Sequence, residues 1–195
     1  MRGELQGMSD ALRKLPGLIR KLSYREGDFT LASGKKSKFY VDLKATTLHP
    51  DGAWLIGEAA VDHLKAMDVP VEAVGGLTLG ADPLATSISL AARARGVIWP
   101  AFIVRKESKD HGTGKYIEGT ENLKPGAKVL VLEDVVTSGG SSLQAIDRLR
   151  EAGYQPVAVL TVVDREQGGR EAIEARGLRF LRLTTLAEIQ AAITS

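Results

Sequence analysis

The chain has no cysteine among its 195 residues, so disulfides, thiolate chemistry and any zinc site built on Cys are excluded. It has no apolar run near the ~20 residues that a membrane-spanning helix needs. Residues 1–10 are polar and offer no signal-peptide core. These absences predict a cytoplasmic protein with no membrane partner. Charge of one sign is also scarce: a formal +2 is too small to point to nucleic acid, so local placement of charge carries the argument. No repeat, low-complexity tract or linker-like shift divides the chain. What is present is 44% hydrophobic and 26% charged residues, a composition that rules out global disorder. The length suits one α/β domain over residues 1–195 with a small appendage.

The first ~45 residues read differently from the rest. Leu12, Leu15, Ile19 and Leu22 lie near helical spacing over residues 10–22, although Pro16 weakens that helix. Residues 29–34 form an extended piece ending in a turn, and residues 35–42 follow with a basic start and the aromatic pair Phe39 and Tyr40. We read residues 1–45 as much of a hood. Helix and strand then alternate. Helices are expected over residues 54–67, 83–95 and 141–152, the second with Pro83 in its first turn and the third stopped by Gly153. Strands are expected over 71–74, 101–104, 128–132, 156–163 and 178–183, followed by a terminal helix. Such alternation implies right-handed crossovers and a mainly parallel central sheet flanked by helices. Ligands of such sheets bind at the carboxyl ends of the strands, where each motif below falls.

The most informative string runs from Val129 to Ser142. An apolar strand ends in two carboxylates, Glu133 and Asp134, and Val135, Val136, Thr137, Ser138, Gly139, Gly140 and Ser141 lead into a helix. Successive backbone N–H groups over residues 137–141, with their hydroxyls, can surround a phosphate at the helix N-terminus. The two acids would repel a phosphate but suit vicinal hydroxyls, which donate charge-assisted hydrogen bonds to carboxylates. A phosphate nest beside hydroxyl acceptors describes a ribose 5-phosphate. The Lys-Ser/Thr ending of a P-loop is missing, which excludes an ordinary NTPase. A helix cap beside a solvated acidic loop would use some of the same residue types.

A second stretch, residues 105–119, carries Arg105, Lys106, Lys109, His111 and Lys115 among Gly112, Gly114 and Gly119. A cationic, glycine-rich loop can close over a pyrophosphate leaving group and stabilise its developing charge. A solvated surface loop shares that composition. For a flat heterocycle the chain offers Phe39 and Tyr40, which could equally pack the hood. Arg165, at the end of the strand over residues 156–163, could fork onto a carboxylate or pair with Asp164 or Glu166. His63 reads as a structural histidine and His49 as a turn residue before Pro50, with no metal-ligand spacing between them.

The string from Val129 to Ser142 resembles the phosphoribosyl-diphosphate motif of type I phosphoribosyltransferases. The order Arg-Lys-Glu-x-Lys-Asp-His-Gly from Arg105 resembles the catalytic loop of the orotate phosphoribosyltransferases within them. The resemblance runs from about Phe29 to Arg165 and implies a type I phosphoribosyltransferase fold with a small N-terminal hood. It implies transfer of ribose 5-phosphate from phosphoribosyl diphosphate to orotate, giving orotidine 5′-phosphate and pyrophosphate in pyrimidine synthesis. Mg²⁺ is expected to arrive with the diphosphate rather than through protein ligands. The resemblance gives Lys109, His111, Glu133 and Asp134 to catalysis. Arg105, Lys106 and residues 135–141 bind phosphoribosyl diphosphate with them. Thr137, Arg165, Phe39 and Tyr40 bind orotate. A homodimer with the basic loop shared across the interface is implied as well.

The chain departs from that pattern twice. Ala32 stands where many members have Lys before Ser-Gly, and no Lys occurs between Gly75 and Pro83, after the strand where many carry a Tyr-Lys-Gly piece. Lys35, Lys36 or Lys44 could replace the lost cations. Two rival readings are a phosphoribosyltransferase for another base, and a non-enzymatic sensor of phosphoribosyl diphosphate that binds nucleic acid. The small net charge and the single-domain length disfavour the sensor.

Overall fold

The computed structural model describes residues 9–30, 34, 36–107 and 116–193. Helix α1 (Asp10–Ser23) runs through Pro16 without ending there. Its interior proline costs about 3 kcal/mol. Leu12, Leu15 and Ile19 are buried on one stripe, each contributing about 1.5–3 kcal/mol, and that burial wins. Ser9 caps the first turn by accepting from the Leu12 N–H at 3.3 Å. Next come β1 (Tyr24–Thr30) and β2 (Lys36–Val41), an antiparallel pair that forms its own two-stranded sheet. A short helix α2 (Lys44–Thr47) leads to α3 (Pro50–Ala66). His49 is the N-cap of α3, its ring Nδ1 accepting from the Asp51 N–H at 3.3 Å.

The main sheet is built from β3 (Ala73–Leu77), β4 (Ala101–Val104), β5 (Ile117–Glu118), β6 (Lys128–Val136), β7 (Gln155–Asp164) and β8 (Arg179–Thr185). Helices α4 (Ala81–Ala94), α5 (Gly140–Glu151) and α6 (Gly169–Glu174) connect them, and α7 (Leu186–Ala191) follows. The strand order is β5-β4-β3-β6-β7-β8, parallel throughout except for the antiparallel β4–β5 pair. The expected mainly parallel α/β sheet is therefore present. Alternate side chains of β6 feed opposite layers. Leu130 and Leu132 join the core formed with α1, α3 and α4, while Val129 and Val131 join the core beneath α5 and α6.

Chain direction across the sheet reverses between β3 and β6. The β3–β4 connection moves toward one edge, and β6–β7–β8 moves toward the other. That reversal opens a crevice outside the carboxyl ends of β3 and β6.

Several elements differ from expectation. Strand β6 continues through the acidic pair to Val136, so Glu133 and Asp134 belong to the strand rather than to the loop after it. The reason is pairing: Glu133, Val135 and Val136 stand opposite Thr161, Val163 and Asp164 of β7. Strand β3 likewise runs through Gly75 and Gly76 to Leu77. Helix α3 starts at Pro50 and α4 at Ala81, each earlier than the apolar spacing suggests. The pairing of β1 with β2, the two-residue β5 and the short α6 have no counterpart in the apolar pattern.

Candidate active site

Alternation along β6 sends its two acids to different neighbours. Glu133 is buried on the α5 side, where the Ser142 hydroxyl donates to its Oε2 at 3.0 Å. Burial pushes the Glu133 carboxyl up to about 8, the adjacent Asp134 charge pushes the same way, and the Ser142 bond and Lys106 oppose them. Glu133 therefore holds a proton at neutral pH in the free protein. Asp134 faces the start of α4 and lies against Gly80. A Cβ on Gly80 would stand 2.4 Å from Asp134 Oδ1, so a larger residue there would push the Asp134 carboxylate from its place.

The bend between β6 and α5 forms the second part of the site. Gly139 is the N-cap of α5 with φ +82°, a conformation that side chains other than glycine rarely adopt. Residues 137–141, with Glu133, Val135 and Val136, line a cleft of about 220 Å³. The first N–H groups of α5 have no intrahelical partner, and Gly139 brings no capping side chain to compete for them. The arrangement suits an oxyanion of phosphate size. The chain after β7 is tied to this bend, because the Arg165 N–H donates to the Val136 carbonyl at 3.0 Å. Arg165 thus starts one residue across from Thr137.

The Arg165 guanidinium lies 5.8 Å from the centroid of the Phe39 ring on β2, and its Nε is buried without a hydrogen-bond partner among the described residues. Asp164 and Glu166, the acids that could have neutralised it, engage Arg182 instead, at 3.4 and 3.6 Å. Phe39 and Arg165 therefore come together from opposite ends of the chain. Tyr40 does not join them. As the next residue on β2 it projects from the other face, is 45% exposed, and packs on Phe29 with ring centroids 5.6 Å apart.

A neighbouring cleft of about 250 Å³ is lined by Thr78, Leu79 and Gly80 after β3, by Lys44 and Lys106, and by Glu133, Asp134 and Ser141. Arg105 and Lys106 line a third opening beside it, with Asp82 and Glu118. Arg105 bonds Glu118 at 3.2 Å, and Arg148 of α5 donates to both the Arg105 and Lys106 carbonyls while lying over the Tyr116 ring. Lys109 and His111, with Lys35 and Lys115, lie outside the described residues. Among the described residues no group of three His, Cys, Asp or Glu side chains could cage a metal. His63 is half-buried on α3, and burial lowers its pKa.

Sequence reasoning missed Ser142 as the partner of Glu133 and left Lys44 as one of three candidates. Ser142 could have been found from the serine pair in the first turn of α5, but its bond to a residue nine positions earlier has no linear signal.

The geometry agrees with comparison to known proteins. Residues 59–177 match the phosphoribosyl transferase domain model. The orotate phosphoribosyltransferase of Nostoc sp. is 48% identical over 94% of this chain and 87% of its own length. That of Aquifex aeolicus is 46% identical over 90% and 96%. The structure of Mycobacterium tuberculosis orotate phosphoribosyltransferase in complex with 5-phospho-alpha-D-ribosyl 1-diphosphate superimposes with a TM-score of 0.75. It is 40% identical and covers 92% of this chain and 99% of that one. Cleft, fold and relatives agree: the chain belongs to the orotate phosphoribosyltransferases, pentosyltransferases of the type I phosphoribosyltransferase fold.

Proposed function

We propose that the chain transfers ribose 5-phosphate from phosphoribosyl diphosphate to orotate using the crevice at the carboxyl ends of β3 and β6. The observation that carries this reading is the cradle over residues 137–141 with two acids on one side and Arg165 on the other. The 5-phosphate sits on the α5 N-terminus, held by backbone N–H groups and the Thr137, Ser138 and Ser141 hydroxyls. Glu133 and Asp134 take the ribose hydroxyls, and carboxylate charge at this wall, to which Glu133 adds once it has given up its proton, favours the cation that develops on the ribose as the bond to pyrophosphate breaks. Arg165 receives the orotate carboxylate, and the Phe39 ring offers an apolar wall to the pyrimidine. Lys106 faces the diphosphate, joined by Arg105, Lys109 and His111 as the leaving group departs.

The donor set fits Mg²⁺ carried in by substrate. Asp134 at the cleft wall could hold a hydrated Mg²⁺ beside the diphosphate, and among the described residues no group of three His, Cys, Asp or Glu side chains offers a fuller ligand set. When bound, the ion would neutralise charge on the diphosphate. The β1–β2 hairpin acts as the hood over the base, and a homodimer shares the basic loop between sites.

The test is a turnover assay that follows loss of orotate absorbance with phosphoribosyl diphosphate and Mg²⁺, run beside uracil, adenine and hypoxanthine. Conversion of orotate alone is expected. Turnover of a purine with orotate untouched would overturn the base assignment.

A further inference from the structure

We propose that Lys44, at the first turn of α2, is a diphosphate-binding residue of this site, closing over the leaving group from the hood side of the cleft. The inference deepens the reading above and rests on it. Four neighbours define the position. Lys44 and Lys106 line one cleft with Asp134, Leu79 and Gly80. Leu79 is 69% exposed and brings no charge to a wall that must meet a polyanion. Lys106 arrives at the end of β4, whereas Lys44 arrives from the segment joining β2 to α3. The two ammonium groups therefore approach from separate parts of the fold.

The acids of the same cleft cannot substitute for them. Asp134 is a carboxylate at the wall, and a diphosphate brought near it without facing cations would meet only repulsion. In the structure Lys44 Nζ rests on Asp42 Oδ1 at 3.0 Å, and the same oxygen accepts from the Lys44 N–H at 3.1 Å. The Lys44 side chain is half exposed in this pairing and lines the cleft. Asp42 and Asp134 both favour its charged form. Exchanging an exposed carboxylate partner for a phosphate oxygen costs little, because exposed ion pairs contribute little, and a charge-assisted bond to a desolvated diphosphate contributes more.

The contrary interpretation is that Lys44 serves only its surface pair with Asp42. Four variants separate the two: Lys44→Ala, Lys44→Arg, Asp42→Asn, and Lys44→Ala combined with Leu79→Lys. Steady-state kinetics at saturating orotate give KM for phosphoribosyl diphosphate and kcat, calorimetry gives its Kd, and thermal melting reports the fold. Lys44→Ala is expected to raise both KM and Kd on the order of tenfold with kcat within about threefold. Lys44→Arg should retain most of the affinity. The double variant, which puts a cation at another position lining the same cleft, should recover part of it. Asp42→Asn should leave Kd within about twofold, since it removes only the resting partner. A Kd for Lys44→Ala within twofold of wild type, or an equal loss in Asp42→Asn, would overturn the proposal. Wild-type protein that binds phosphoribosyl diphosphate but leaves orotate untouched would instead refute the reaction, and the Kd comparison among variants would still decide the role of Lys44.

Discussion

The two walls of the crevice are made in different ways. The wall proposed for phosphate, the phosphate wall, is one continuous segment, from Glu133 through the 137–141 bend into α5, anchored in the core on both sides by Leu132, Val136 and Ile146. The wall proposed for the base, the base wall, is assembled from Phe39 on β2 and Arg165 after β7, residues 126 positions apart in the numbering. Backbone amides dominate the first wall and side chains the second. The difference predicts that the phosphate wall is broken by backbone changes, whereas the base wall is broken by single side-chain replacements that leave the phosphate wall intact.

The largest effect should come from Gly139→Val. At φ +82° a β-branched residue is strained, and its Cβ would stand 3.2 Å from the Gly169 carbonyl. The expected result is loss of phosphoribosyl diphosphate affinity by roughly a hundredfold or more in calorimetry, with a fall in Tm of several degrees. The counterpart on the base wall is Arg165→Lys. A point charge replaces a planar fork, so KM for orotate should rise about tenfold or more while Kd for phosphoribosyl diphosphate stays within about twofold. Equal losses for both ligands would break the separation of the two walls.

A smaller effect follows from protonation. Glu133 titrates near 8 in the free protein, and the carboxylate form is the better acceptor for ribose hydroxyls. Affinity for phosphoribosyl diphosphate should therefore rise several-fold as pH increases from about 6.5 to about 9. Ser142→Ala removes a bond that favours the charged form, so the rise should shift to higher pH. The same proton links to folding. The native state holds it between the ordinary value of 4.5 and about 8, so its contribution to stability is full below 4.5 and is lost as pH rises through about 8. Glu133→Gln should flatten both profiles. The smallest effect is on the hairpin. The Lys38–Asp28 pair is almost fully exposed, and Asp28→Asn should leave Tm and both substrate affinities unchanged within error.

The same contrast explains what could be read in advance. The phosphate wall was legible because its elements are contiguous: an apolar run, two acids and a hydroxyl-glycine bend occur in the order in which they fold. Even there the strand end was set too early, because pairing with Thr161, Val163 and Asp164 extends β6 past the last purely apolar residue. The fold class was legible from alternation, and the helix read over residues 10–22 continues through Pro16 because the buried face of α1 outweighs the missing hydrogen bond. The base wall was legible by residue type and through resemblance. Its geometry was not: nothing linear says that Phe39 turns toward Arg165 while Tyr40 turns away, or that Arg182 takes Asp164 and Glu166. Two-residue strands such as β5, and Ser142 reaching back to Glu133, depend on tertiary proximity alone.

The most direct test is a crystal structure with phosphoribosyl diphosphate and Mg²⁺ at a pH above 8. The 5-phosphate should accept hydrogen bonds from main-chain N–H groups of residues 137–141, with the ribose diol against Glu133 and Asp134. A ligand seated elsewhere, with the β6–α5 bend vacant in fully occupied crystals, would contradict the assignment of this bend as the phosphate site.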